Sequence, residues 1–478
     1  MDSSFNTVHF ETLGCKLNQI ESEAAAKAFS DCGFAVDVSP CTASSTSNNN
    51  VFLCIINTCT VTAKAEQKAR RLIRLLLEKF PHAAVLVTGC YAEVEPEEIL
   101  AINNRIAVLK GTQKEYLSKI PSLIEQNVNQ VAPQNQNCST EYAEKFAEFL
   151  NRIVKDIPAT ELKKASFSLA TDTFLSHSRA SIKIQDGCSS SCTYCRIHIA
   201  RGKSVSLPAS EVLQRVMNLE RAGQYEVVIT GVNLSQYYSN ENGTIMRFPE
   251  LMKFLLDNTE KIAFRISSLY PDIITDEFCK ILSDERIRPH FHLSVQSGSD
   301  KILKSMKRPY KSSVVIEAVR KLRSIKPGCF LAADIITGFP GETDDDFSLS
   351  MELCCQCNFS WVHVFPFSAR PGTEAFSMRR QVPQSVSGER ARKLTSLAIE
   401  QKKLYLEQTI GKEFRAIIEK RRIHEVRAVS ENYMHLRIIG GGNFDLSSLG
   451  GKEITVRIVR ILPVRAQTES VEAEAVLL

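Results

Sequence analysis

Along the first region of the chain, short apolar runs of strand length alternate with longer stretches of helical periodicity. Residues 9–13 read as a strand and 19–31 as a helix ended at Gly33. Residues 51–56 form a strong buried-strand pattern, and a helix over 63–80 stops at Pro81. Residues 83–88 and 106–109 are further strands, and strand–helix alternation of this kind predicts a parallel, doubly wound α/β sheet. Residues 42–50 are rich in Ser, Thr and Asn and read as a flexible insertion. A second insertion over 137–164 carries helical patterning and reads as a surface helix and linker. Six strands follow at 181–185, 226–230, 262–267, 290–295, 330–336 and 361–365, with helical patterns such as 210–222 and 313–325 between them. Six such units predict a curled parallel sheet or (βα)6 partial barrel, whose reactive groups gather at the C-terminal strand ends. After a basic helical stretch at 387–410, residues 414–419, 426–430, 434–439 and 454–462 read as short antiparallel strands of a small barrel of the oligonucleotide-binding kind. The domains predicted are therefore 7–135, a linker and insertion at 136–178, 179–386, a connecting helix at 387–410, a barrel at 411–466 and a tail at 467–478.

Composition changes this picture in two places. The chain has 478 residues, 44% hydrophobic and 24% charged, which suits roughly three globular domains with ordinary cores. Its net charge of +5 says little, but residues 411–465 hold 11 Lys/Arg against 6 Asp/Glu, and the acidic stretch 469–474 follows them. The N-terminus lacks a charged segment followed by an apolar run, and no stretch approaches the roughly 20 apolar residues that span a bilayer. A cytoplasmic protein without membrane attachment is expected. The 15 cysteines are then reduced thiols, which favours metal chemistry over a disulfide framework.

Two sets of cysteines stand out. Cys188-Ser-Ser-Ser-Cys192-Thr-Tyr-Cys195 directly follows a predicted strand. Three thiolates in one loop can hold three irons of a [4Fe–4S] cluster, leaving the fourth iron for a small molecule. A structural zinc site needs four ligands, and His198 is the nearest fourth. Cys15, Cys59 and Cys90 each follow a predicted parallel strand, in Gly14-Cys15, Thr58-Cys59 and Gly89-Cys90. Strands of one sheet bring their ends to one edge, so the three thiols read as a second cluster site; three buried structural cysteines are the alternative. Cys354, Cys355 and Cys357 lie in a helical pattern that points neighbours different ways, so they read as core and surface positions. Cys32, Cys41, Cys54, Cys138, Cys279 and Cys329 show no pairing logic.

With both triads, the chain resembles the radical S-adenosylmethionine methylthiotransferases over nearly its whole length. The stretch Glu11-Thr12-Leu13-Gly14-Cys15-Lys16-Leu17-Asn18-Gln19 is most similar to the branch that acts on N6-threonylcarbamoyladenosine in transfer RNA. Ile56-Asn57-Thr58-Cys59-Thr60-Val61-Thr62, Val87-Thr88-Gly89-Cys90-Tyr91 and Ile184-Gln185-Asp186-Gly187-Cys188 resemble further family motifs. So do Leu293-Ser294-Val295-Gln296-Ser297-Gly298, Ile336-Thr337-Gly338-Phe339-Pro340-Gly341-Glu342-Thr343 and the segment from Val364 to Thr373. The C-terminal barrel resembles the family's RNA-binding TRAM domain.

The resemblance implies two [4Fe–4S] clusters. One, on Cys188, Cys192 and Cys195, would bind S-adenosylmethionine for reductive cleavage to a 5′-deoxyadenosyl radical. The other, on Cys15, Cys59 and Cys90, would carry the sulfur that is methylated and inserted at the adenine C2 beside the anticodon. It also implies an external electron donor, a sulfur donor and tRNA as partners. Tyr194 sits where family members place an aromatic residue against the adenine, and Gly231, Asn233, Ser268 and Gln296 follow strand ends where the cofactor would lie; ordinary loop polarity is the alternative for each. Glu342 reads equally as an acid at a helix N-terminus. Lys420, Arg421 and Arg422, consecutive cations between barrel strands, are the expected RNA contact. The chain departs from the family twice. Arg196-Ile197-His198-Ile199 lacks the proline usual before Ala-Arg-Gly, and Tyr270 stands where this branch more often has Glu. The family's N6-isopentenyladenosine and ribosomal-protein branches share both triads, and a non-catalytic metal-containing RNA-binding protein is the reading from another class.

Overall fold

The computed structural model describes residues 6–127, 139–157, 167–171, 178–419, 425–439, 450–465 and 470–478. The chain divides into two compact units. The first comprises 1–176, 186–189 and 195–203, and the second 177–185, 190–194 and 204–478.

The first unit is built on strands β1 (Thr7–Thr12), β2 (Ala35–Asp37), β3 (Val51–Thr58), β4 (Ala84–Gly89) and β5 (Ile106–Val108). They form one parallel sheet in the order β2-β1-β3-β4-β5. Every residue of β3 is buried, as its unbroken apolar run requires of a strand covered on both faces. Helix Ala63–Lys79 lays Ala69, Ile73 and Leu76 on one face, where they pack with Ile56, Val85 and Val87. Its start is fixed by the Thr62 side chain, which accepts from the Ala65 amide. Helix Lys16–Asp31 puts Ala24, Ala25 and Phe29 on the other face, against Val8, Phe10 and Ile55. It begins three residues before the predicted Gln19, because Cys15 is already the extended residue that precedes the first turn.

A helix does form in the insertion at 137–164, at Thr140–Lys155, but it is not a surface helix. Phe146, Ala147, Leu150 and Val154 are buried in the same core as Phe52 and Leu53, and Asn151 exchanges hydrogen bonds with the backbone of Ile106 and Val108. Its apolar stripe, broken by charges at helical spacing, is the signature of a helix with one buried face.

The second unit contains all six predicted strands of the central region. These are β6 (Ala180–Asp186), β8 (Glu226–Gly231), β11 (Ala263–Ile266), β12 (His290–Gln296), β13 (Phe330–Thr337) and β14 (Trp361–Pro366). Strands β6, β8 and β11 pair in parallel, a short β7 (Val205–Ser206) stands at the edge beside β6, and β12, β13 and β14 form a second parallel ladder. Single bridges, Phe264 to Ile287 and Leu269 to Leu293, join the two ladders into a partial barrel. A polar hairpin, β9 (Tyr238–Glu241) with β10 (Thr244–Arg247), was invisible to a search for apolar alternation.

Helix Gln384–Glu407 leads to a closed barrel of β15 (Glu413–Ile418), β16 (Arg427–Ser430), β17 (His435–Ile438), β18 (Glu453–Ile461) and β19 (Ala473–Leu477), in the order β15-β16-β17-β19-β18. Strand β19 lies in the stretch expected to be an acidic tail. Its carboxylates are buried because each has a cation: Glu472 pairs with Lys402, and Glu474 with Arg437 and Arg460. Ala473 and Ala475 fill the barrel core, so β19 closes the barrel instead of trailing from it. Among the described residues, no helix is long and apolar enough to cross a membrane.

Burial of Leu150 makes a direct test of the reassigned helix. Leu150→Ala should destabilise the first unit by about 2–5 kcal/mol in urea unfolding. A loss below about 1 kcal/mol would mean that the helix is peripheral after all.

Candidate active site

The order β2-β1-β3-β4-β5 reverses direction between β1 and β3. Open parallel sheets of this order bind ligands beyond the carboxyl ends of the strands, at that switch point. Cys15, Cys59 and Cys90 stand just past the ends of β1, β3 and β4, three adjacent strands in register through Thr12–Asn57 and Thr58–Gly89. The backbone there is tight. Gly14 has φ +112°, and a Cβ on it would come within 2.8 Å of the Cys59 Cβ and 3.3 Å of its Sγ. Gly89 has φ +92°, and a Cβ would meet Asn57 Oδ1 and Thr58 O at 2.4 Å. Asn18 staples two of the turns by donating through Nδ2 to the carbonyls of Leu13 (2.9 Å) and Thr58 (3.0 Å).

Cys15 is exposed, while Cys59 and Cys90 are buried. Burial pushes the Cys59 thiol up to about 12, and the charges of Cys90 and Cys15 push it the same way. The Cys90 thiol is raised by burial too, against a lowering influence from Arg201. Two buried thiols that resist ionisation in this way, Cys59 and Cys90, are stabilised as thiolates by a bound cation, which is what a metal cluster provides. Among the described residues, no three His, Cys, Asp or Glu side chains are gathered as the ligands of a single metal ion. An iron–sulfur cluster takes its thiolates on separate irons.

The loop that carries the second cysteine set is divided between the units: Cys188 and Cys195 belong to the first, Cys192 to the second. In the first unit, a Cβ on Gly187 would fall 2.1 Å from the Lys203 carbonyl, so only glycine fits. The Cys188 amide donates to Gly202 O at 3.0 Å, and the Ile197 amide donates to Cys195 Sγ at 3.4 Å. In the second unit, Arg308 Nη1 donates to Cys192 Sγ at 3.4 Å. His198 lies on the short helix Ile197–Arg201.

The remaining expected positions lie in the second unit, Tyr194 in the cysteine loop and the others in segments that end or follow strands. Tyr194 is half-buried against Ile302, Met306, Ile336 and Phe339. Gly231 ends β8, where a Cβ would stand 2.9 Å from the Gln185 side chain, and that side chain accepts from the Asn233 amide at 2.8 Å. Asn233 Oδ1 accepts from the Ser235 amide. Ser268 and Ser294 share a hydroxyl contact of 3.1 Å, and Gln296 ends β12 with φ +74°. Glu342 is buried and accepts from the Gly338 amide (2.8 Å) and from Arg390 (2.6 Å). The capping residue of the following helix, Asp344–Cys357, is Thr343. Lys420, Arg421 and Arg422 lie outside the described residues.

Two residues here had no role assigned from sequence. Arg308 donates from Nη1 to the Tyr270 hydroxyl at 2.7 Å, lies 4.0 Å from the centre of that ring, and donates from Nη2 to Ser294 O. Tyr270 thus meets this cation with a neutral oxygen and a π face where a glutamate would bring a full charge. Arg201 donates to Cys90 Sγ at 3.3 Å. Its only local signal was the triplet Ala200-Arg201-Gly202, and its partner Glu21, distant in sequence, had none.

A parallel partial barrel whose first strand runs into a Cys-x3-Cys-x2-Cys loop is the radical S-adenosylmethionine class of domain, and the Radical SAM superfamily matches residues 182–354. Residues 7–111 match the uncharacterized protein family UPF0004. The chain is 43% identical to a threonylcarbamoyladenosine tRNA methylthiotransferase of Treponema pallidum, over 95% of this chain and 98% of the relative. It is 35% identical to the Thermotoga maritima enzyme of that name, over 86% of each chain. To the tRNA-2-methylthio-N(6)-dimethylallyladenosine synthase of Bartonella henselae it is 30% identical over 90% of each. The chain belongs to the methylthiotransferase family of radical S-adenosylmethionine enzymes, and its central domain implies one [4Fe–4S] cluster and S-adenosylmethionine.

The crowded turn before Cys15 is testable apart from any cofactor. Gly14→Ala should cost about 1–3 kcal/mol, from strain at φ +112° and the clash with Cys59. Urea unfolding of the metal-free chain measures it, and an unchanged midpoint would mean that the turn has room.

Proposed function

We propose that the chain adds a methylthio group to C2 of N6-threonylcarbamoyladenosine next to the anticodon of tRNA. The observation that carries this reading is the convergence of Cys15, Cys59 and Cys90 at the switch point of one parallel sheet, in a chain that also has the Cys188, Cys192 and Cys195 loop. Radical generation alone needs only the loop; a second set of three thiols has a use where sulfur must be delivered. The choice of nucleoside is supported by the names of the relatives at 43% and 35% identity.

In this reading Cys188, Cys192 and Cys195 hold one [4Fe–4S] cluster and Cys15, Cys59 and Cys90 a second. When bound, the clusters supply the electron that cleaves S-adenosylmethionine and the sulfur that is transferred. The chain's own residues orient and insulate. Arg308 and the Ile197 amide direct N–H groups at cluster-loop sulfurs, and Gly187 lets the loop close on Lys203. Tyr194, Gly231, Asn233, Ser268 and Gln296 form the S-adenosylmethionine side of the site. Lys420, Arg421 and Arg422 meet the RNA backbone. Electrons and replacement sulfur come from external donors, and the cytoplasm is where tRNA, donors and reduced thiols coexist.

Two variants divide the work. Cys195→Ala should abolish reductive cleavage of S-adenosylmethionine. Cys90→Ala should keep cleavage to 5′-deoxyadenosine yet form no methylthio product, as read by mass spectrometry of tRNA nucleosides. Loss of cleavage in folded Cys90→Ala protein that keeps its loop cluster would contradict this division. Methylthiolation of N6-isopentenyladenosine by the parent enzyme, with N6-threonylcarbamoyladenosine left untouched, would overturn the substrate.

A further inference from the structure

Behind the three N-terminal thiols lies a buried network of four charges. Arg201, Glu21, Lys114 and Asp186 all belong to the first unit, and none has a side chain more than 12% exposed. Lys114 Nζ bridges Glu21 Oε1 and Asp186 Oδ2, both at 2.8 Å. A guanidinium has five N–H groups in a fixed plane. Arg201 spends four of them on this scaffold: Nη1 donates to Glu21 Oε1 (3.0 Å) and Asp186 Oδ1 (2.9 Å), and Nη2 to Asn18 Oδ1 (2.7 Å) and Glu21 Oε2 (3.4 Å). The fifth, on Nε, points at Cys90 Sγ at 3.3 Å.

The scaffold is neutral in sum, two cations against two carboxylates, so the unit carries no large buried net charge for it. Burying four charges is expensive and is repaid only when each is paired in good geometry, as these four are. Here the geometry leaves Arg201 no freedom to rotate, and its one remaining donor is fixed on a sulfur. Asp186 also accepts from the Gly187 amide at 2.8 Å, so the strap is anchored to the chain leading into Cys188.

On the footing of the second cluster proposed above, we infer that Arg201 is a positioning residue that raises the reduction potential of that cluster through its N–H bond to the Cys90 sulfur. Hydrogen bonds to ligand sulfurs and local charge set the potentials of iron–sulfur clusters. Reduction adds negative charge that spreads onto the sulfurs, so a fixed N–H and a nearby guanidinium favour the reduced form. Glu21, Asp186 and Asn18 hold the donor in place, and Lys114 balances the carboxylates that do so.

The test uses the full-length chain with Cys188, Cys192 and Cys195 replaced by Ala, reconstituted anaerobically with iron and sulfide and reduced with dithionite. Iron content and an electron paramagnetic resonance signal test the second cluster itself, and their absence sinks that reading before Arg201 is in question. With the signal present, pulsed resonance on protein carrying ¹⁵N-arginine should detect a ¹⁵N coupling to the cluster. No coupling in this otherwise unaltered N-terminal site overturns the role of Arg201, whether or not any Arg201 variant folds. In redox titration, Arg201→Gln should shift the one-electron equilibrium at least tenfold toward the oxidised form, a fall of at least 59 mV. Arg201→Lys should fall short of full rescue, since its ammonium cannot meet the carboxylates and the sulfur in one plane. Arg70→Gln removes a cation hydrogen-bonded to Tyr91 but not to the thiol, and should leave the potential in place. An unchanged potential in Arg201→Gln, or an equal fall in Arg70→Gln, would overturn the inference.

Discussion

Side chains from three separate strands can meet at one point only if the backbone beneath them is out of the way. In this protein that constraint falls on the turns after β1 and β4, where Gly14 and Gly89 take φ values that favour glycine, with neighbouring atoms where a Cβ would be. Parallel pairing supplies the rest. It aligns the strand ends, and the reversal of order between β1 and β3 opens the crevice into which Cys15 and Cys59 emerge. The same device recurs at Gly187, where the loop bearing Cys188 folds onto the Lys203 carbonyl. Both cysteine sets therefore depend on glycine at a point of contact, and the chemistry of the thiols follows from that packing.

Buried ions are the second theme. Glu226 is enclosed by Arg265 and Arg288, at 2.7 and 2.9 Å. Burial would raise its carboxyl, but Arg265, Arg179 and Arg288 outweigh that and hold it down at about 2. The same arginines reach the barrel: Arg265 donates to the carbonyls of Ser430 and Glu431, and Arg288 pairs with Glu453. Replacing one member of such a group strands the others without partners, at a cost of about 3–5 kcal/mol. The strap around Arg201 has the same construction, with the difference that one donor is directed at a thiol.

Much of this was legible in the sequence. The six central strands and the parallel N-terminal sheet could be read from apolar runs bounded by turns, because strands buried on both faces leave little room for polar residues. The cysteine triads could be read because each follows a strand end. What escaped was held by long-range ion pairs. Strand β19 hid behind Glu472 and Glu474, whose cations lie on the helix Gln384–Glu407 and on strands β17 and β18. Arg201 and Arg308 were given no role from sequence, since their partners are more than a hundred residues away or face them only through the fold. The helix Thr140–Lys155 escaped for another reason: its stripe was visible, but nothing local said that the stripe had a sheet to cover.

Central to this account is a chain with two separate cluster sites. Mössbauer spectroscopy of the anaerobically reconstituted, ⁵⁷Fe-loaded full-length protein, with iron counted per chain, measures this most directly. The account predicts about eight irons per chain, in two four-iron clusters. About four irons in a single cluster, with Cys15, Cys59 and Cys90 still open to alkylation, would contradict it.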